Sequence, residues 1–204
     1  WCQMKPIAKP ALVAAFIGPI QSASGWMIAG ALWSGYNPVY QTISDLASPE
    51  SPVRAIMSSF FILGGTLTLI GALYARTLAT PGRVVLFITA ICTYGLTIFP
   101  TPLVGFSVWH RLFAITSFFL SAAWPIFAMR KARNAPMVLK PKWSIAATVL
   151  QLALAIWFLV VWADPSTTNV GVWERVVALS QSAYIAFVII YCYFSQRRQT
   201  VQTY

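Results

Sequence analysis

The chain has 204 residues, with fourteen Lys and Arg against four Asp and Glu, a single His, and a formal net charge of +10. Only 9% of it is charged while 58% is hydrophobic, with a mean hydropathy of +0.71, whereas a soluble domain carries about 25% charged residues to wet its surface. That balance excludes an ordinary soluble domain and points to a chain solvated by lipid.

Taken in order, six apolar runs approach the roughly 20 residues needed to cross a bilayer. They lie at about Ala11–Trp33, Ala55–Ala75, Val84–Phe99, Trp109–Met129, Trp143–Trp162 and Val176–Phe194. The predicted fold is all-α: one polytopic bundle of six transmembrane helices with short loops, residues 1–204 forming a single domain. The chain opens on Trp1, so the native N-terminus is expected upstream. The first run is too long for a signal peptide and lacks a small-residue cleavage site. Pro19 and Pro125 fall inside runs, where neighbouring helices satisfy the freed backbone groups.

The first run carries Gly18, Ser22, Gly25 and Ala29 at helical spacing, and the second carries Gly64, Thr68, Gly71 and Ala75. Small residues on one stripe let backbones approach closely. Packing of these two helices on one another within the chain is the expectation, and dimerisation through a stripe is the alternative. Gln21, Gln151, Ser180 and Gln181 lie within runs and are expected to hydrogen-bond between helices. Cys92 and Cys192 sit in apolar segments and read as small buried hydrophobes. No Cys/His pattern with metal-ligand spacing is present, so neither a metal nor a cofactor is expected.

Basic residues set the orientation. With the N-terminus in the cytoplasm, eleven of the fourteen Lys and Arg fall on the cytoplasmic side, from Lys5 and Lys9 to Arg197 and Arg198. Arg54, Arg111 and Arg175 fall on the other side, together with all four acids: Asp45, Glu50, Asp164 and Glu174. The protein is therefore expected in the cytoplasmic membrane with both termini inside. The +10 expresses this bias, and no nucleic-acid partner is expected.

The loop Ser34 to Pro52 holds the stretch "TISDLASPES", half of the chain's acids in ten residues. Thr42 and Asp45 have capping-box spacing. Ser48-Pro49-Glu50 reads as a helix start, and Ser51-Pro52 as a cap for the second span. His110, the only histidine, opens the fourth span with Arg111 beside it, while Glu174 and Arg175 open the sixth. Asp45, His110, Arg111, Arg54, Glu174 and Arg175 thus form a candidate polar site on the outer face. Its acids and cations are also what short loops need simply to be wetted. Asp45 is expected to fold back toward His110, Arg54 or Arg111, with His110 oriented by that carboxylate.

The run from Tyr36 through Leu78 resembles the first loop and second span of the bacterial and archaeal membrane family known as domain of unknown function 998. The shared pieces are Tyr36-x-Pro38, the triplet Ile43-Ser44-Asp45 and the small-residue span that follows; the stretch from Phe99 to Pro125, with His110 opening a helix, fits too. The resemblance implies a small six-span membrane protein and supplies no activity. More distantly, Ile-Ser-Asp, a following Pro-Glu and an outer-end His are similar to the autophagy-modulator and GPI-remodelling families, a likeness that implies lipid handling near the outer leaflet. The chain lacks the additional histidines of metal-dependent lipid hydrolases. Two functions follow as expectations: a lipid-associated protein whose outer site binds a headgroup or modifies a lipid, or a non-catalytic accessory subunit of a larger membrane protein complex. A solute transporter would place ionisable groups near the bilayer midplane, where these spans carry only amides and hydroxyls.

Overall fold

The computed structural model describes residues 5–201, with side chains given through residue 198. Among the described residues seven α-helices follow one another: α1 (Lys9–Ala31), α2 (Ile43–Leu46), α3 (Arg54–Tyr74), α4 (Thr80–Ile98), α5 (Val108–Ala128), α6 (Pro141–Ala163) and α7 (Val170–Val201). A 3₁₀ turn, Met137–Leu139, precedes α6. All but α2 are long and apolar enough to cross a membrane, and the chain is an all-helical polytopic membrane protein. Cys2 lies outside the described residues.

The six long helices close into a ring. Each packs on the next, α1 on α3 and so on to α6 on α7, and α7 returns to α1. Their outward faces stay apolar: Val149 is 62% and Leu150 60% exposed. In water such a surface would aggregate; in lipid it is the solvated face. Inward faces are rich in small residues, and Gly82 shows why. A Cβ there would lie 2.5 Å from the Ala128 backbone, so α4 and α5 meet backbone to backbone.

The two small-residue stripes face into the bundle, but they are shared among three helices. Gly25 abuts Phe60 and Gly64 abuts the Gln21 amide, both across α1–α3. Gly18 instead faces Ser182 of α7, and Gly71 faces Ile189 of α7. Ring closure explains the difference, because α7 packs along α1 and its Ile189 side chain reaches Gly71. The expected amide bonds are present at two places: Gln151 and Ser180 bond each other's groups at 3.2 and 3.4 Å, and Gln181 Nε2 donates to the Phe118 carbonyl at 2.9 Å. Cys92 and Cys192 are buried and free.

At the basic end, Arg83 closes the C-terminus of α3 and Arg130 holds the loop that follows it. Arg83 donates to the Ala72 and Leu73 carbonyls of α3, and Arg130 to those of Thr77 and Leu78. The last carbonyls of a helix lack intrahelical partners and carry partial negative charge, which a guanidinium satisfies. The Arg83 bonds also explain why α4 begins at Thr80, earlier than the apolar run alone predicts: Pro81 opens the helix and Arg83 anchors that first turn to α3.

Candidate functional site

At the opposite end, the segment between α1 and α3 lies across the mouth of the ring. Its core is α2, a single helical turn begun by a capping box. Thr42 Oγ1 accepts from the Asp45 N–H at 3.1 Å, and Asp45 Oδ2 accepts from the Thr42 N–H at 2.7 Å. So short a helix has almost nothing but its caps to hold it, since the first turn of any helix leaves its amides without partners. One of those amides, Ile43 N–H, donates to Glu174 Oε2 on α7, and the Ser44 hydroxyl donates to Glu174 Oε1 at 3.4 Å. Glu174 is buried, 5% exposed.

Arg175, the next residue, holds the first half of the same segment. Its Nη1 donates to the carbonyls of Pro38 at 2.9 Å, Gln41 at 3.1 Å and Gly171 at 2.7 Å, and its Nη2 to the Tyr36 hydroxyl. The Tyr36 hydroxyl donates in turn to the Thr42 carbonyl at 2.8 Å, and burial pushes its pKa up to about 12. Backbone bonds from Gly171 and Val172 to the Val39 carbonyl complete the seam. Glu174 and Arg175 therefore do not open the sixth span as expected. They sit one turn inside α7, which starts at Val170, and staple the loop to it.

Between this segment and the ends of α5, α6 and α7 lies a cavity of about 260 Å³. Asp45, Glu174, His110 and Arg111 all line it. The Arg111 guanidinium lies 4.4 Å from the Phe106 ring centroid and 4.9 Å from that of Trp162, a cation–π seat that holds a charge without neutralising it. Asp45 is half-buried. Loss of hydration raises its pKa, while the Thr42 bonds and the nearby His110 and Arg175 pull the other way. His110 is buried, and its Nδ1 bonds the Phe99 carbonyl at 3.0 Å.

Five expectations are corrected by this geometry. His110 is oriented by the Phe99 carbonyl at the C-cap of α4 rather than by Asp45. Arg54 is exposed and outside the cavity wall, near Glu50, and Arg175 is likewise absent from the wall because the loop carbonyls take it. Glu50 starts no helix: its carboxylate accepts from the Ser48 hydroxyl and, at 3.2 Å, from the Leu103 N–H of the α4–α5 loop. These bonds lower its pKa, the Ser48 hydroxyl most. Ser51 does not cap α3, whose N-cap is Val53 with no side-chain bond; Ser51 Oγ accepts from the Val53 N–H instead. Asp164 only closes its own turn, on Ser166. Sequence reasoning missed Tyr36 and Gly171, although Tyr36 was visible in the Tyr-x-Pro motif. Among the described residues, no three His, Cys, Asp or Glu side chains come together to hold a metal.

A closed ring of six apolar helices, capped at one end by a stapled loop over a polar cavity, defines a small polytopic membrane protein. The family model for proteins of unknown function DUF998 matches residues 16–191, and the chain belongs to that family. No curated protein and no solved structure matches it.

Proposed function

We propose that the protein binds the headgroup of a zwitterionic phospholipid in this terminal cavity, working from the outer leaflet of the cytoplasmic membrane with both termini inside. The observation that supports it is that a cation and two carboxyls line one cavity. Arg111 offers a guanidinium held between two aromatic faces, and the Asp45 and Glu174 carboxyls line the same cavity. A guanidinium suits a phosphate, and a carboxylate suits an ammonium. Asp45 commits one oxygen to Thr42, which leaves the other for a ligand. The orientation rests on the eleven-to-three division of basic residues.

Native mass spectrometry of the full chain, delipidated and offered phosphatidylethanolamine or phosphatidylglycerol, tests the reading. Preferential retention of phosphatidylethanolamine, weakened by Arg111→Gln, is expected. Equal retention of both lipids, or retention unchanged by that substitution, sinks it. A preparation that holds no lipid but always carries the same larger partner would favour an accessory subunit.

A further inference from the structure

A second cavity, of about 190 Å³, lies inside the ring between α1, α3, α4, α5 and α7. Phe118 is the one residue that lines both it and the terminal cavity, and no Asp, Glu, Lys, Arg or His lines it. A charged occupant would find no partner in this wall, so the chamber suits an uncharged one.

The hydroxyls around it fall into two sets. Thr68, Thr89 and Thr93 each donate to the carbonyl one turn back on their own helix at 3.0 Å, a bond by which a helix absorbs a hydroxyl internally. Ser22 of α1, Ser117 and Ser121 of α5 and Ser182 of α7 do not. None of the four has a hydrogen-bond partner among the described residues. Ser121 is only 7% exposed, yet its Oγ, like the other three, is not closed off by neighbouring atoms and borders the chamber.

A hydroxyl both donates and accepts, and one without partners is costly in a low-dielectric interior. Here three helices present such groups to one space, which has the volume for several waters at roughly 30 Å³ each. Toward the basic end that space stops. Leu86, Trp124, Ala128, Val188 and Cys192 are each at most 1% exposed and belong to one close-packed cluster.

We propose that this chamber is a hydrated vestibule, a water-binding site held by the serine hydroxyls of α1, α5 and α7. It reaches from Phe118, at the floor of the terminal cavity, to the middle of the membrane and ends on the apolar plug. The site is independent of the headgroup reading, since no polar side chain lines both cavities.

Radiolytic footprinting of the full chain in nanodiscs, in heavy-oxygen water, tests this, because hydroxyl radicals born from bound water oxidise the side chains beside it. Leu→Met exchanges conserve volume and set the same reactive thioether in three surroundings. Leu67→Met lies in the chamber wall, Leu86→Met in the plug, and Leu63→Met on the lipid face, where Leu63 is 41% exposed. Leu67→Met should take up label severalfold faster than either of the others, and Ser117→Ala with Ser121→Ala in that background should slow it. Uptake at position 67 no faster than at position 86 means a dry chamber and overturns the proposal. Uptake at position 67 unchanged by loss of both hydroxyls overturns it too, because the serines then hold no water. In the unsubstituted protein, Met57, which lines the chamber and is 3% exposed, should be oxidised while Trp124 is spared. Equal labelling of those two residues overturns the proposal without any variant having to fold.

Discussion

Glu174 and Ile43 stand 131 residues apart, yet a carboxylate of one accepts the backbone N–H of the other. Through that bond α7 supplies what a four-residue helix cannot supply for itself, an acceptor for an amide of its first turn. Glu174→Ala would leave the Ile43 N–H and the Ser44 hydroxyl unpartnered in a buried place, a loss of about 1–3 kcal/mol. Glu174→Gln keeps one acceptor oxygen and should lose less. Thermal unfolding in detergent micelles orders the three proteins; a Glu174→Ala variant as stable as the parent would remove the staple from the account.

Arg175 meets four oxygens at once, on Tyr36, Pro38, Gln41 and Gly171. A planar fork of five donors can do this and a single ammonium cannot. Arg175→Lys is therefore expected to cost about 1.5–3 kcal/mol, the range for hydrogen bonds to a charged group, and to expose residues 36–42 to protease. Arg54→Gln, at an exposed helix start, should stay within about 0.5 kcal/mol. Limited proteolysis and unfolding measured together check the pair.

Gly171 is required by the approach of the loop, since a Cβ there would lie 2.2 Å from the Gln41 carbonyl oxygen and 2.5 Å from that of Pro38. Gly171→Ala should push the loop off α7 and cost about 3 kcal/mol, the upper part of the overpacking range. Gly105 makes the control. Its φ of +88° strains any other residue, but nothing lies within 4 Å of a Cβ there. Gly105→Ala should cost about 1–2 kcal/mol and leave the seam protected from protease.

The six spans were legible because lipid demands long apolar helices, and the demand shows in every segment. The capping box was legible too, since Thr42 and Asp45 are local partners. What the sequence hid were partners far along the chain. Glu174 and Arg175 read as the edge of a span because charged residues usually mark one; in fact they lie inside α7, neutralised in effect by loop backbone. Ser48-Pro49-Glu50 reads as a helix start until the Leu103 N–H, 53 residues away, takes the carboxylate. His110 found its acceptor in the carbonyl at the end of α4, a group with no sequence signature at all.

The proposed orientation predicts which face a reagent reaches. The segment from Arg130 to Lys142 carries five of the basic residues and ends the bundle opposite the terminal cavity. With both termini inside, Pro136→Cys should react with a membrane-impermeant maleimide only after the cells are opened. Labelling of intact cells would reverse the topology and put the cavity on the cytoplasmic side.

Asp45 allows structure and ligand binding to be separated. One of its oxygens accepts from Thr42, a bond the Asn carbonyl can also accept, so Asp45→Asn preserves the cap. Burial raises the pKa of the native carboxyl above its ordinary 3.8. The folded state thus holds this proton more firmly than the unfolded chain does. Stability from this group is full below the ordinary value and is lost as pH rises through the raised one, where the ionised form carries its lost hydration. Glu50 has the opposite slope: its lowered pKa makes its contribution present at neutral pH and lost on acidification. Asp45→Asn should therefore unfold at or above the parent's temperature near pH 7 and lack the parent's decline over the pH range just above about 4. The same variant should retain phosphatidylethanolamine less well, because an amide does not neutralise an ammonium. If Asp45→Asn instead destabilises the protein near pH 7 by more than about 1 kcal/mol, the size of a typical cap, the ionised carboxylate belongs to the framework and the ammonium-binding role of Asp45 falls.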